Sequence, residues 1–335
     1  MTEVIKLAHG SGGEASRRLV EDVIAVYFKN EALDPLDDSA VMAVQGGRLA
    51  FTTDSYTVDP IFFPGGDIGS LAVHGTVNDL AMVGARPVAL TLGLILEEGL
   101  ALSDLRRILE SVRDACSEAR VNVVAGDTKV VERGSADGIF INTSGIGTVP
   151  EGVNISASNA VPGDVVILSG NIGDHGIAVL SMREGMDFTT TLKSDSAPLN
   201  TMVQAMLEVT KDIHAMRDPT RGGLGTSLNE IAARSKVGIE IEEAAVPVDS
   251  QVRDACDMLG FDVFYVANEG KLVAFVPESE AAAVLDAVKA ARYGGNAAVI
   301  GKVVKENPGL VTLNTQVGGR RILSPLSGEL LPRIC

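Results

Sequence analysis

Apolar residues recur along the first half of the chain with two alternating periods. Over residues 15–30, Leu19, Val23 and Tyr27 share one helical stripe, with Val20 and Ile24 beside it. Residues 49–53 read as a strand ending at Asp54. Asp67 is placed to cap a helix that Gly84 and Pro87 bring to an end. A buried strand is expected over 87–96. Residues 103–120 give a strong helical pattern, with Leu105, Ile108, Leu109, Val112 and Cys116 on one face. Strands follow over 121–125, ending at Gly126-Asp127, and over 139–149.

Between 150 and 162 the pattern lapses into Gly, Asn, Ser and Pro, which marks a domain boundary. A second α/β unit follows. Strands are expected over 164–169, 237–241, 271–277 and 297–304, and helices over 198–210 and 224–235. Val252, Cys256 and Leu259 share a helical face, as do Ala281, Leu285 and Val288. From Gly318 onward, Gly319, Pro325, Gly328 and Pro332 interrupt any period. The fold class is therefore α/β, with domains over 1–155 and 160–315 and a flexible tail over 316–335. Fully extended, that tail reaches roughly 50 Å from Gly319.

Composition narrows the function. With 46% hydrophobic but only 4% aromatic residues and no Trp, the core must be aliphatic. A net charge of −16 argues against a nucleic-acid backbone as partner, which needs Lys/Arg patches. It suits a metal-bridged anion, because carboxylates hold a cation that in turn holds phosphate. No secretory leader is expected, and the apolar run over 87–96 is too short to cross a bilayer. Cys116 and Cys256 sit singly on helical faces and read as packed core thiols, which fits a reducing cytosol.

The third cysteine, Cys335, is the last residue. A prenylation box needs Cys four residues from the end, and no second Cys or His lies nearby for a metal. A thiol on a mobile terminus can instead carry a group between sites. Its own carboxylate should raise its pKa, and Arg333 should oppose that.

Carboxylates stand at five element ends: Asp37-Asp38, Asp54, Asn78-Asp79, Asp127 and Asp218. An aspartate at one such position is ordinarily a local cap. Five together suit a triphosphate whose charge is cancelled by Mg²⁺, with Lys129 as a point charge and the glycines before Leu224 offering backbone N–H groups at a helix start. No P-loop, dinucleotide fingerprint, zinc helix or serine-hydrolase elbow is present.

Asp37-Asp38, Thr53-Asp54, the run from Asn78 to Ala85 and Gly126-Asp127-Thr128 resemble motifs of the aminoimidazole ribonucleotide synthetase superfamily, to which selenophosphate synthetase and thiamine-monophosphate kinase belong. Within it, His9-Gly10-Ser11-Gly12-Gly13, Asp218-Pro219-Thr220-Arg221-Gly222-Gly223 and the terminal Pro332-Arg333-Ile334-Cys335 resemble the HypE family of hydrogenase maturation factors. The resemblance implies a two-domain fold of mixed sheets flanked by helices, in a cytoplasmic homodimer that binds neither nucleic acid nor membrane. It implies that Asp37, Asp38, Asp54, Asn78, Asp79, Asp127 and Asp218 bind ATP, and that the six aspartates among them hold Mg²⁺. It also implies that a HypF-like carbamoyltransferase loads a carbamoyl group onto Cys335. ATP-dependent dehydration would then give a thiocyanate, whose cyano group passes to iron on a HypC–HypD-like scaffold. Glu269, in Asn268-Glu269-Gly270-Lys271, is implied as the base, and Lys129 holds a phosphate or the tail. The alternatives are a kinase or cyclase of the same superfamily acting on a free substrate, and a non-catalytic interaction module.

Overall fold

A computed structural model of the chain describes residues 13–24, 27, 30–183, 191–326, 331 and 333–335. The motif residues His9 to Gly12, part of the helix expected over 15–30, Gly328 and Pro332 lie outside the described residues.

The first unit opens with a single α-turn, α1 (Glu14–Arg18), that continues as a π-helical turn over Leu19–Ile24. Of the stripe read here, Leu19 is half-buried while Val23 and Tyr27 are exposed. Strands β1 (Ala40–Val44) and β2 (Gly47–Tyr56) form a hairpin, and a short one joins β3 (Phe62–Phe63) to β4 (Gly66–Asp67). Helix α2 (Ile68–Met82) starts at Asp67, whose carboxylate accepts from the amides of Gly69 and Ser70 in a capping box. This helix is apolar on nearly every side, and only Ser70 and Asp79 escape full burial. A helix of that composition belongs in the centre of a fold. Accordingly α2 lies against β2, against β7 (Ile139–Val149) and against α3 (Leu102–Ala119). β5 (Arg86–Glu97) and β6 (Asn122–Val131) complete a five-stranded sheet ordered β1-β2-β7-β5-β6. All its pairs are antiparallel except β5 with β6.

Three expectations change here. Leu109 points to solvent and leaves the buried face of α3 to Ile108, Val112 and Cys116. The strand over 87–96 is buried on one face only, with Val88 and Ile95 exposed on the sheet side away from the helices. Asp54 and Asp127 do not close their strands; each lies within a longer one.

The second unit is a seven-stranded sheet ordered β14-β13-β10-β12-β8-β11-β9. Its strands are β8 (Asp164–Leu168), β9 (Ala215–Arg217), β10 (Gly238–Glu242), β11 (Val273–Pro277), β12 (Ala298–Val304), β13 (Val311–Asn314) and β14 (Arg320–Leu323). Helices α4 (Asp174–Leu180), α5 (Asn200–Val209), α6 (Gly223–Ser235), α7 (Ser250–Leu259) and α8 (Glu278–Ala290) flank it. β14 pairs antiparallel with β13, so the segment expected to be irregular from Gly318 still contributes a strand. One apolar cluster joins the units: Leu80, Val83 and Val149 of the first pack with Met202, Met206 and Leu272 of the second. Cys116 and Cys256 are buried in helix faces.

Candidate active site

The two units enclose a cleft of about 540 Å³ lined by both. β2 supplies Thr52, Asp54 and Tyr56; α2 supplies Gly75 and Asp79; the turn before α6 supplies Asp218, Thr220 and Arg221. Strand alternation explains the first set, since Thr52, Asp54 and Tyr56 are two apart and face the same way. Gly75 is required by close approach: a Cβ there would lie 2.2 Å from the Tyr56 hydroxyl.

Asp38, Asp79 and Asp218 each offer a carboxylate oxygen within 4.8 Å of the others. Thr52 donates to Asp79 at 2.8 Å, and Thr76 donates to Asp54 at 3.2 Å. Burial, then the neighbouring Asp54, raises the pKa of Asp79 well above the carboxylate range. Burial likewise pushes Asp218 up to about 6, against the pull of Arg217. Arg217 also pairs with Asp38 and, at 3.1 Å, with Glu230. Buried carboxyls this close together fit a hard divalent cation, which takes oxygen ligands and offsets their charge. Beside them, α6 begins at Gly222 and Gly223, both at positive φ, and the buried Thr226 hydroxyl has no partner. The Gly223 amide is spent on the Thr220 carbonyl at 2.9 Å, so the next amides of the turn, Leu224 and Gly225, and that hydroxyl suit a phosphate.

Glu269 is buried in the same cleft, and its Oε1 lacks a partner. Burial, then Asp218, raises its pKa well above the usual value. Its backbone is fixed by Asp195, which accepts from the amides of Glu269 at 3.0 Å and Gly270 at 3.3 Å and pairs with Lys271 at 3.0 Å.

Cys335 reaches this cleft. Residues 333–335 run beside 57–59: Thr57 N–H donates to the Cys335 oxygen at 3.0 Å, and Asp59 N–H to the Arg333 oxygen at 3.2 Å. Ile334 is buried among Tyr56, Val58, Phe63 and Val179. Burial pushes the Cys335 thiol up to about 11, opposed by the Arg221 guanidinium, which hydrogen-bonds it. Arg221 is exposed, so solvent screens that attraction. The expected cation at the thiol, Arg333, instead pairs with Asp137 at 2.8 Å.

Not every expected site residue joins the cluster. Asn78 is spent on structure: its amide donates to the carbonyls of Ala197 and Glu269 and accepts from Leu199 N–H, so it fixes the Glu269 turn and does not face the cleft. Asp37 lines the cleft but accepts from Ala157 N–H at 3.0 Å. Asp127 and Lys129 pair with each other at 2.6 Å on the exposed strand β6. Asp127 registers with Gly93, Gly93 with Asn142 and Asn142 with Ser55, all on the sheet face opposite Asp54. Three strand spacings separate it from β2, about 14 Å. Tyr56, His175, Ser194 and Asp195 carried no sequence signal of a role. Arg221 sat in a recognised motif, but its contact with residue 335 spans more than 100 positions, which no local pattern encodes.

Comparison with known proteins matches residues 36–149 to the N-terminal domain of AIR synthase related proteins and residues 161–313 to their C-terminal domain. A protein named carbamoyl dehydratase HypE from Azotobacter vinelandii is 52% identical over 331 residues, 99% of this chain and 97% of that one. A carbamoyl dehydratase HypE from Escherichia coli K12 is 44% identical, covering 99% of each chain. Among solved structures, a HypE in complex with ATP superposes with a TM-score of 0.83 at 50% identity, covering 99% of this chain and 100% of that one. The HypE–HypF complex gives 0.88 at 49% identity over 92% of this chain and 99% of that one. The chain belongs to the AIR synthase related proteins and, within them, to the HypE family of carbamoyl dehydratases.

Proposed function

We propose that this protein is an ATP-dependent carbamoyl dehydratase whose substrate rides on its own C-terminal thiol. The observation that carries the reading is Cys335 lying in one cleft with Glu269 and the carboxylate cluster. The reaction converts S-carbamoyl-Cys335 and ATP into S-cyano-Cys335, ADP and phosphate. The carbamoyl oxygen attacks the γ-phosphorus and leaves as phosphate, and the nitrogen loses both its protons.

Asp38, Asp54, Asp79 and Asp218 would hold Mg²⁺, with Asp37 also lining the cleft, and the cation would supply charge neutralisation to the phosphates of ATP. Glu269 takes one proton from nitrogen as the carbamoyl oxygen attacks, and the second leaves on the departing phosphate; a cation beside Asp218 favours ionised Glu269, and burial keeps that carboxylate basic. Tyr56 and Ile334 exclude water from the sulfur.

Docking energetics suit a carrier. Burying Ile334 contributes about 2 kcal/mol, and each backbone hydrogen bond about 1 kcal/mol. Ordering three terminal residues costs about 1–2 kcal/mol each. The terms nearly cancel, so the tail can leave to be loaded by a HypF-like carbamoyltransferase and return to deliver cyanide to a HypC–HypD-like iron scaffold.

A homodimer in the cytoplasm belongs to the same proposal. It is supported by apolar side chains on the open sheet face, Phe51 and Ile95, and by Val124 and Val130 along the unpaired edge strand β6. Any role of Asp127 at the metal or Lys129 at phosphate requires that second copy, because strand alternation turns them from the cluster of their own chain.

The test is the intact mass of the tail after reaction with the carbamoyltransferase and Mg–ATP. Cys335→Ala should keep ATP binding and gain no carbamoyl mass. A variant that still gains it, or still turns over a free substrate, returns the function to a kinase or cyclase.

A further inference from the structure

His175 is the second residue of α4 and is fully buried. Its Nδ1 lies 2.7 Å from Ser194 Oγ, and its Nε2 lies 2.8 Å from the Ile334 carbonyl oxygen. A carbonyl only accepts, so Nε2 carries the hydrogen. Ser194 Oγ accepts from Ser196 N–H at 3.1 Å, which leaves its own proton for Nδ1. The relay therefore fixes one neutral tautomer. The edge contact with Phe63, ring centroids 5.4 Å apart, holds the ring plane. The Ile334 carbonyl carbon is bonded to the nitrogen of Cys335. Fixing it fixes the peptide plane from which the sulfur projects.

We propose that His175, oriented by Ser194, is the positioning residue that latches the loaded tail in the cleft through its Nε2–H bond to the Ile334 carbonyl. The inference rests on the tail-carrier reading. The imidazole touches no reacting atom; it sets how often the S-carbamoyl group faces Glu269. Because docking is nearly balanced, one neutral hydrogen bond shifts the ratio of docked to free tail about 2- to 12-fold. The two half-reactions must then respond with opposite sign. Loading needs the tail out, and dehydration needs it in.

The test compares His175→Asn with His175→Gln in the full-length protein. The asparagine amide can meet Ser194 but is too short to reach Ile334; the glutamine amide reaches it. Three rates are read: alkylation of Cys335 by iodoacetamide, located by peptide mass; loading by the carbamoyltransferase; and single-turnover loss of water from the loaded tail with Mg–ATP. His175→Asn should raise alkylation and loading by about 1.4- to 2-fold and slow dehydration by about 2- to 7-fold, with Mg–ATP affinity unchanged. His175→Gln should restore all three rates toward the wild type. Loading and dehydration falling together, or alkylation at the wild-type rate, overturns the latch. If His175→Asn does not fold, Ser194→Ala releases the tautomer and should shift the rates in the same directions; wild-type rates there overturn the proposal equally. A wild-type protein that never gains mass at Cys335 sinks the carrier reading instead, and the alkylation rates still decide the latch.

Discussion

At the residue scale the proposed chemistry rests on two carboxyls, and both can be tested singly. Glu269 is buried and its Oε1 has no partner. Glu269→Gln keeps its shape and removes the proposed base. It should bind Mg–ATP and accept the carbamoyl group, while dehydration falls by 100-fold or more, on the order expected for a general base. Mass spectrometry of the loaded tail separates the two steps, and water loss at the normal rate would show that another group takes the proton. Asp218 tests the cation. Its folded pKa of about 6 lies above the unfolded value, so the folded chain holds this proton more tightly. The stability it contributes is complete below about pH 4 and is lost as pH rises through about 6, to a limit of roughly 3 kcal/mol. Without divalent cation, Asp218→Asn should therefore be more stable than wild type at pH 7.5, and the gain should vanish near pH 4. Mg²⁺ should raise the melting temperature of wild type at pH 7.5 and do so less in the variant. Equal Mg²⁺ stabilisation of both would remove Asp218 from the metal set.

At the scale of elements, the start of α6 is tightly constrained. Gly223 has φ +61°, and a Cβ there would lie 2.6 Å from the Phe264 carbonyl oxygen. Gly223→Ala must move that turn, at a cost of about 1–3 kcal/mol. Thermal unfolding should show the loss, and calorimetry should show weaker Mg–ATP binding because the amides proposed to face phosphate move with it. Unchanged nucleotide affinity would detach α6 from the phosphate site. Period and punctuation revealed such elements well: residues 139–149 form a strand over that span, and Asp67 caps α2. Other features failed for physical reasons. β14 hides in a segment broken by glycine because its partner β13 supplies the order. Asn78 resembled a ligand because a buried amide that clamps three backbone groups and one that binds phosphate read alike in sequence. Asp127 looked equivalent to Asp54, yet which sheet face an aspartate takes depends on register across four strands.

That difference in face has its consequence at the scale of the whole molecule. Glu269 lies in the cleft of its own chain, while Asp127 and Lys129 stand on the open face of the sheet. If Asp127 serves the metal as proposed, it must serve a second copy's cleft. Glu269→Gln and Asp127→Asn should then each inactivate a homodimer. Unfolding and refolding the two variants together makes dimers in which half are mixed. In a mixed dimer, one cleft carries both substitutions and the other carries neither. The mixture should recover about a quarter of wild-type dehydration from two inactive parents. If Asp127 acted within its own chain, every cleft would keep one lesion and mixing would recover nothing. Sedimentation run beside the assay confirms that dimers formed, so an inactive mixture of intact dimers counts against the shared site and an active one establishes it.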